Sequence, residues 1–148
     1  MPISITIVKT PNDLGKKMNF LIDTNILIYR LKNLGNVNAN FLKYKDNKML
    51  ISVISYGELV YGANKSKSVE KNMATVREIK SIFPMLDITP NVMDIFGEIK
   101  ADTQKIGKSV YDMDLLIAAS AIAHNMTLVT HNTKHFENIS KLQVMDWF

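Results

Sequence analysis

Three carboxylates and one amide stand where the local chemistry of this chain changes abruptly. Asp23 stops the apolar run Phe20-Leu21-Ile22, and Glu58 sits in Ile54–Ala63, which turns out of the apolar run Met49–Val53 into a helix. Asp114 precedes the alanine-rich run Leu115–Ala123, and Asn132 lies in a polar loop after Thr127-Leu128-Val129. If the apolar runs are parallel strands, every strand-to-helix junction opens on one edge of the sheet, where open α/β sheets hold their ligands. Carboxylates gathered there repel one another and raise each other's pKa values unless a cation stands between them. Oxygen donors without thiolates select Mg²⁺ or Mn²⁺ over zinc. Such an ion suits phosphodiester hydrolysis, because it activates water and neutralises charge building on the phosphate. Asp112 and Asn132 are spare donors for the same site.

Each acidic residue also has a purely structural use. Asp-Thr-Asn after a strand favours a helix N-cap, so Asp23 could serve only that end. Ser55-x-x-Glu58 is formally a capping box, which would tie Glu58 to the backbone at the start of its helix. Asp112 is placed to cap the helix that follows it.

The elements that must position these groups alternate in type. Short strands are expected at Phe20–Ile22, Met49–Val53, Met85–Ile88, Thr127–Val129 and Leu142–Met145, the last as an edge strand. Helices are expected from Ile26 to the Leu34-Gly35 stop, over Val37–Tyr44, after Ser55, over Ser68–Phe83 before Pro84, and from Thr89-Pro90 to Gly107. Leu115–Ala123 is apolar all round, which implies a buried central helix. No Asn-Gly or Asp-Gly hairpin signal joins any two strands, so right-handed crossovers and a mainly parallel sheet follow, in a three-layer α/β/α sandwich. Residues 1–17 carry the strand-like Ile3–Val8 and a break at Thr10-Pro11-Asn12-Asp13, and read either as an N-terminal extension or as an added edge strand. Residues 18–148 read as one domain.

A chain of 148 residues fits a single domain, and 47% hydrophobic with 22% charged residues excludes pervasive disorder and a membrane class. The formal net charge of +4 suits a polyanionic partner. The absence of cysteine excludes a disulfide framework, a thiolate zinc site and a cysteine nucleophile. No secretory signal pattern or membrane-length apolar run is present, so a cytoplasmic location is expected.

Four segments, in order, resemble the motifs of PIN-domain ribonucleases, and most of all the VapC toxins of toxin–antitoxin pairs. They are Leu21-Ile22-Asp23-Thr24-Asn25, Ile51–Ala63, Asp114-Leu115-Leu116-Ile117-Ala118-Ala119 and Leu128–Phe136, and the likeness extends from about Met18 to Trp147. The resemblance implies metal-binding acidic roles for Asp23, Glu58 and Asp114, with Thr24 and Asn25 supporting the first. It further implies Mg²⁺-dependent endonucleolytic cleavage of RNA, a homodimer, and neutralisation by a VapB-type antitoxin. The chain departs from the family pattern at Asn132, where an acidic residue is often found, and at His135, which replaces the acidic residue that often precedes the motif's Phe.

Other readings remain open at this level. A PIN-like nuclease acting in RNA processing outside a toxin–antitoxin pair would share every motif. A module that binds RNA or a partner without cutting would keep the fold but has little use for three intact carboxylates. A haloacid-dehalogenase-like phosphatase also ends its first strand in Asp, but its chemistry takes Asp-x-Asp, and the second position here is Asn25.

Overall fold

Side chains on each central strand alternate between two separate cores, and that alternation defines the architecture. In the computed structural model, which describes residues 6–7 and 18–148, Phe20 and Ile22 of β2 (Asn19–Ile22) point into one core and Leu21 into the other. The same split separates Ile51 from Leu50 on β3 (Lys48–Ser52), Val129 from Leu128 on β5 (Thr127–Val129) and Met145 from Val144 on β6 (Gln143–Met145). A sheet buried on both faces reads as continuous apolar runs.

The six described strands lie in the order β1-β6-β5-β2-β3-β4, and every pairing among them is parallel, with β1 at Thr6–Ile7 and β4 at Met85–Leu86. The first core is roofed by α1 (Thr24–Leu31), α2 (Val37–Lys43), α3 (Val53–Lys65) and α4 (Val69–Ile82). The second is roofed by α5 (Pro90–Lys105) and α6 (Asp112–Ala123). This is the expected three-layer α/β/α sandwich. As the alanine run implies, α6 is buried, with Ala118, Ala119, Ser120 and Ala121 fully shielded, and Ser120 satisfies its hydroxyl on the Leu116 carbonyl at 2.8 Å.

Three local expectations are revised. β6 is not an edge strand, because Thr6 and Ile7 pair along its outer side; the rest of residues 1–17, and with it the expected domain boundary at Met18, lies outside the described residues. α1 ends earlier than Leu34-Gly35: Asn33 already takes the left-handed conformation at φ 53°, an amide side chain being tolerated there. Gly35 is left-handed too, at φ 58°, and a Cβ on it would press Phe148 at 3.1 Å. The loop at Thr133–Phe136 winds into a 3₁₀ turn.

The C-terminal residues are packed rather than trailing. Trp147 stacks on Tyr44, with ring centroids 5.2 Å apart, and meets Phe20 and Phe41 edge-on at 5.1 Å each. Asn40 holds the Trp147 carbonyl at 3.0 Å.

Candidate metal centre

Because β2, β3 and β5 run parallel, their C-terminal ends deliver Asp23, the start of α3 and Thr130 to one edge of the sheet. Asp23 is the N-cap of α1 and is only 7% exposed. Its Oδ1 accepts the Thr24 backbone N–H at 2.8 Å, and its Oδ2 accepts the Thr130 hydroxyl at 2.8 Å. The Thr130 oxygen in turn accepts the Asn132 N–H at 3.1 Å. Asp23 therefore does cap its helix, yet the cap spends one oxygen and leaves the carboxylate clamped from two sides.

The capping box at Ser55 and Glu58 does not form. Ser52 is the N-cap, its hydroxyl accepting the Ile54 N–H at 3.0 Å, so α3 begins three residues before the expected start. Ser52 and Ser55 are equally able caps by residue type, and the strand ends first at Ser52. Ser55 falls inside the first turn, fully buried, with no hydrogen-bond partner for its hydroxyl among the described residues. Glu58 stands six residues beyond the cap, out of reach of it, and Oε1 instead accepts the Thr24 hydroxyl at 3.2 Å. That bond reaches from α1 to α3 and turns Glu58 toward Asp23.

Asp114 lies in the first turn of α6 and meets His135 Nδ1 at 3.3 Å. Asp112, two residues earlier, projects from the helix in a different direction. It neither caps α6, whose N-cap is Tyr111, nor joins the other carboxylates: it pairs with Lys100 at 2.9 Å on the surface. Asn132 brings its backbone to the site through Thr130, while its side chain is exposed and makes no hydrogen bond among the described residues.

Asp23, Glu58 and Asp114 are each destabilised as anions. Burial pushes the Asp23 carboxyl above the usual carboxylate range; its bonds from Thr130 and Thr24 oppose this, and the negative charge of Asp114 adds to it. Glu58 is raised by burial and then by the charge of Asp23, with Thr24 pulling the other way. Asp114 is raised by burial and relieved by His135. Among the described residues no three acidic or imidazole side chains are drawn tightly enough together to grip an ion as they stand. Glu58 is held by the Thr24 hydroxyl and Asp114 by His135. The donor set nevertheless suits a hard divalent cation, being all carboxylate oxygen and mutually repelling, with Asp23 buried, Asp114 partly buried and Glu58 open to solvent.

Sequence reasoning missed two functional neighbours. Thr130 touches Asp23 across 107 residues of chain, and His135 partners Asp114 from a separate loop. Position after a strand was the only signal for the first; the second stands in the fourth motif as a departure from the family pattern, with nothing to tie it to Asp114.

Known proteins share this fold. Residues 20–142 match the PIN domain family. The chain is 35% identical over 130 residues to Ribonuclease VapC2 of Haemophilus influenzae, covering 88% of this chain and 98% of that protein. It is 33% identical, over the same shares, to the tRNA(fMet)-specific endonuclease VapC of Shigella flexneri. Among solved structures, VapBC2 of Rickettsia felis bound to a promoter DNA fragment superposes with a TM-score of 0.82 at 34% identity, covering 88% of this chain and all of that one. A parallel α/β/α sheet with Asp23, Glu58 and Asp114 at its C-terminal edge, matched along nearly the whole length of these relatives, places this chain in the PIN-domain family, among its VapC members.

Proposed function

We propose that this protein is a Mg²⁺- or Mn²⁺-dependent endoribonuclease, the toxin of a toxin–antitoxin pair. The observation that carries the reading is the convergence of Asp23, Glu58 and Asp114 at one sheet edge, each held away from its ordinary pKa, in a chain whose relatives are named as ribonucleases. These three residues would hold the ion, which when bound supplies the positive charge that makes water nucleophilic and offsets charge on the phosphate. Thr130 and the Thr24 N–H fix Asp23 in place, so the centre is organised around one rigid carboxylate. Glu58, held by the Thr24 hydroxyl, and Asp114, held by His135, would supply the remaining carboxylate oxygens. A net charge of +4 draws the polyanionic substrate.

The partner proposed for it is a VapB-type antitoxin, since the superposing structures are VapBC complexes. A groove of about 420 Å³ between α1, α3 and α4, walled by Leu31, Leu59, Val76 and Ile79, runs up to Glu58 and suits a peptide that blocks the site. We further propose a homodimer and a cytoplasmic location; no described helix is long and apolar enough to cross a membrane.

The test is cleavage of RNA by purified protein with Mg²⁺ and with chelator, read by mapping new RNA ends. Asp114→Asn abolishes cleavage and Asp112→Asn leaves most of it. Wild-type cleavage by Asp114→Asn sinks the metal assignment, and equal loss in both shows that the two carboxylates have been given each other's roles. Growth arrest on expression, relieved by the antitoxin encoded beside it, distinguishes the toxin from an RNA-processing nuclease.

A further inference from the structure

A cleft of about 170 Å³ opens directly beside Asp114, lined by Ser109, Tyr111, Lys134, His135 and Asn138 as well. None of these but His135 has been given a use so far. Tyr111 is the most informative of them. It occupies the N-cap position of α6, where Ser, Thr, Asn or Asp is preferred, and its side chain makes no capping bond. It is 79% exposed, the highest value among the large hydrophobic side chains that stand free of the core. The helix thus gives up a cap in favour of an aromatic ring held in solvent, three residues before an acidic residue of the site. Lys134, across the cleft, makes no ion pair among the described residues, although Asp114 and Asp112 both have partners nearby.

We infer that this cleft is the subsite for one unstacked base of a single-stranded RNA next to the scissile phosphate, with the Tyr111 ring as its stacking platform and Lys134 as its phosphate contact. The inference rests on the nuclease reading of the neighbouring carboxylates. Cavities of about 150 Å³ take a single benzene-sized ring, so the cleft matches one base rather than a folded helix. Single-stranded recognition combines an aromatic face with a cation tracking the backbone, and both are present within one cleft. Ser109 and Asn138 supply a hydroxyl and an amide on the cleft wall, which can donate to or accept from a base edge. An exposed aromatic is also what a protein partner seeks, but Lys134 beside it favours a polyanion.

The probe is a short fluorescent single-stranded RNA of mixed sequence, its binding read in chelator and its cleavage with Mg²⁺, compared across wild type, Tyr111→Ala, Tyr111→Phe and Lys134→Gln. Tyr111→Ala is expected to weaken binding by anisotropy, and to lower kcat/KM, by about 5- to 100-fold, the range for one lost base stack. Tyr111→Phe retains both within about twofold. Lys134→Gln weakens binding and flattens its salt dependence. The Mg²⁺-induced rise in melting temperature is kept in Tyr111→Ala and Tyr111→Phe, because neither changes a carboxylate of the centre or a charge beside one. Unchanged binding and cleavage in Tyr111→Ala overturns the subsite, and would leave the ring as a contact for a protein. Should the wild type bind the RNA without cutting it, the nuclease reading falls while the Tyr111→Ala comparison still decides the subsite; should it do neither, both fall.

Discussion

Replacing Asp23 by Asn separates the two demands on that residue, capping α1 and holding a cation. The amide oxygen keeps the bond from the Thr24 N–H, now 2.8 Å. On the other side, the Thr130 oxygen has two lone pairs and only one is taken, by the Asn132 N–H, so it accepts from the new amide nitrogen. The Thr130 hydroxyl proton loses its acceptor, a cost of about 1 kcal/mol. Against that stands the relief of removing a buried charge that faces Glu58 and Asp114. The metal-free variant should therefore melt within a few degrees of wild type, or above it. With divalent cation the two must diverge. A ligand at 100 times its dissociation constant stabilises the native state by about 2.7 kcal/mol, which for a chain of this size is about 5 to 10 °C. Differential scanning fluorimetry with Mg²⁺ or Mn²⁺ against chelator should show that rise in wild type and none in Asp23→Asn. A rise of equal size in both, or none in wild type, refutes the assigned centre.

Glu58→Gln should fold with wild-type stability, because no capping bond is lost, and still cut RNA orders of magnitude more slowly; near-normal turnover would remove Glu58 from the site. Since burial raises all three carboxyl groups, the folded metal-free protein retains protons that the unfolded chain has released, and its stability falls as pH rises from about 4 through the raised values. Denaturation of wild type and Asp23→Asn across that range isolates the Asp23 share: wild type should lose stability relative to the variant as pH rises, and the opposite trend contradicts the burial argument. Trp147→Ala should cost about 3 to 5 kcal/mol by emptying the cluster of Phe20, Phe41 and Tyr44, measured by urea denaturation; a loss below about 1 kcal/mol would show that the C-terminal residues are dispensable.

Much of this molecule was legible in its residues, for reasons that are local. Phe20-Leu21-Ile22 followed by Asp-Thr-Asn specifies a strand, a stop and a cap within a few residues, and the alanines of α6 announce a helix with no solvent face. Where two serines compete for one helix start, type alone does not choose: Ser52 won over Ser55 because the β3 ladder ends there, a fact of sheet length rather than of propensity. Leu142–Met145 carries the pattern of an edge strand because nothing in it reveals its neighbour, which is supplied by Thr6 and Ile7 from the other end of the chain. Thr130 and Asp23 share the same limitation. Contacts between residues far apart in sequence leave no periodic trace.

The strand order has a consequence for how the site comes into being during synthesis. β2 is translated early, but one of its two flanking partners is β5, with Phe20 beside Thr127, and its core cap is Trp147. Thr130, which clamps Asp23, and Asp114 both arrive in the last third of the chain. Parallel pairings of such separation form late, since the loop between them must close first. A nascent or prematurely terminated chain therefore carries Asp23 and Glu58 but no assembled centre, and it presents one flank of β2 unpaired for proteases to find. On the nuclease reading proposed above, the activity is withheld until translation has passed Thr130.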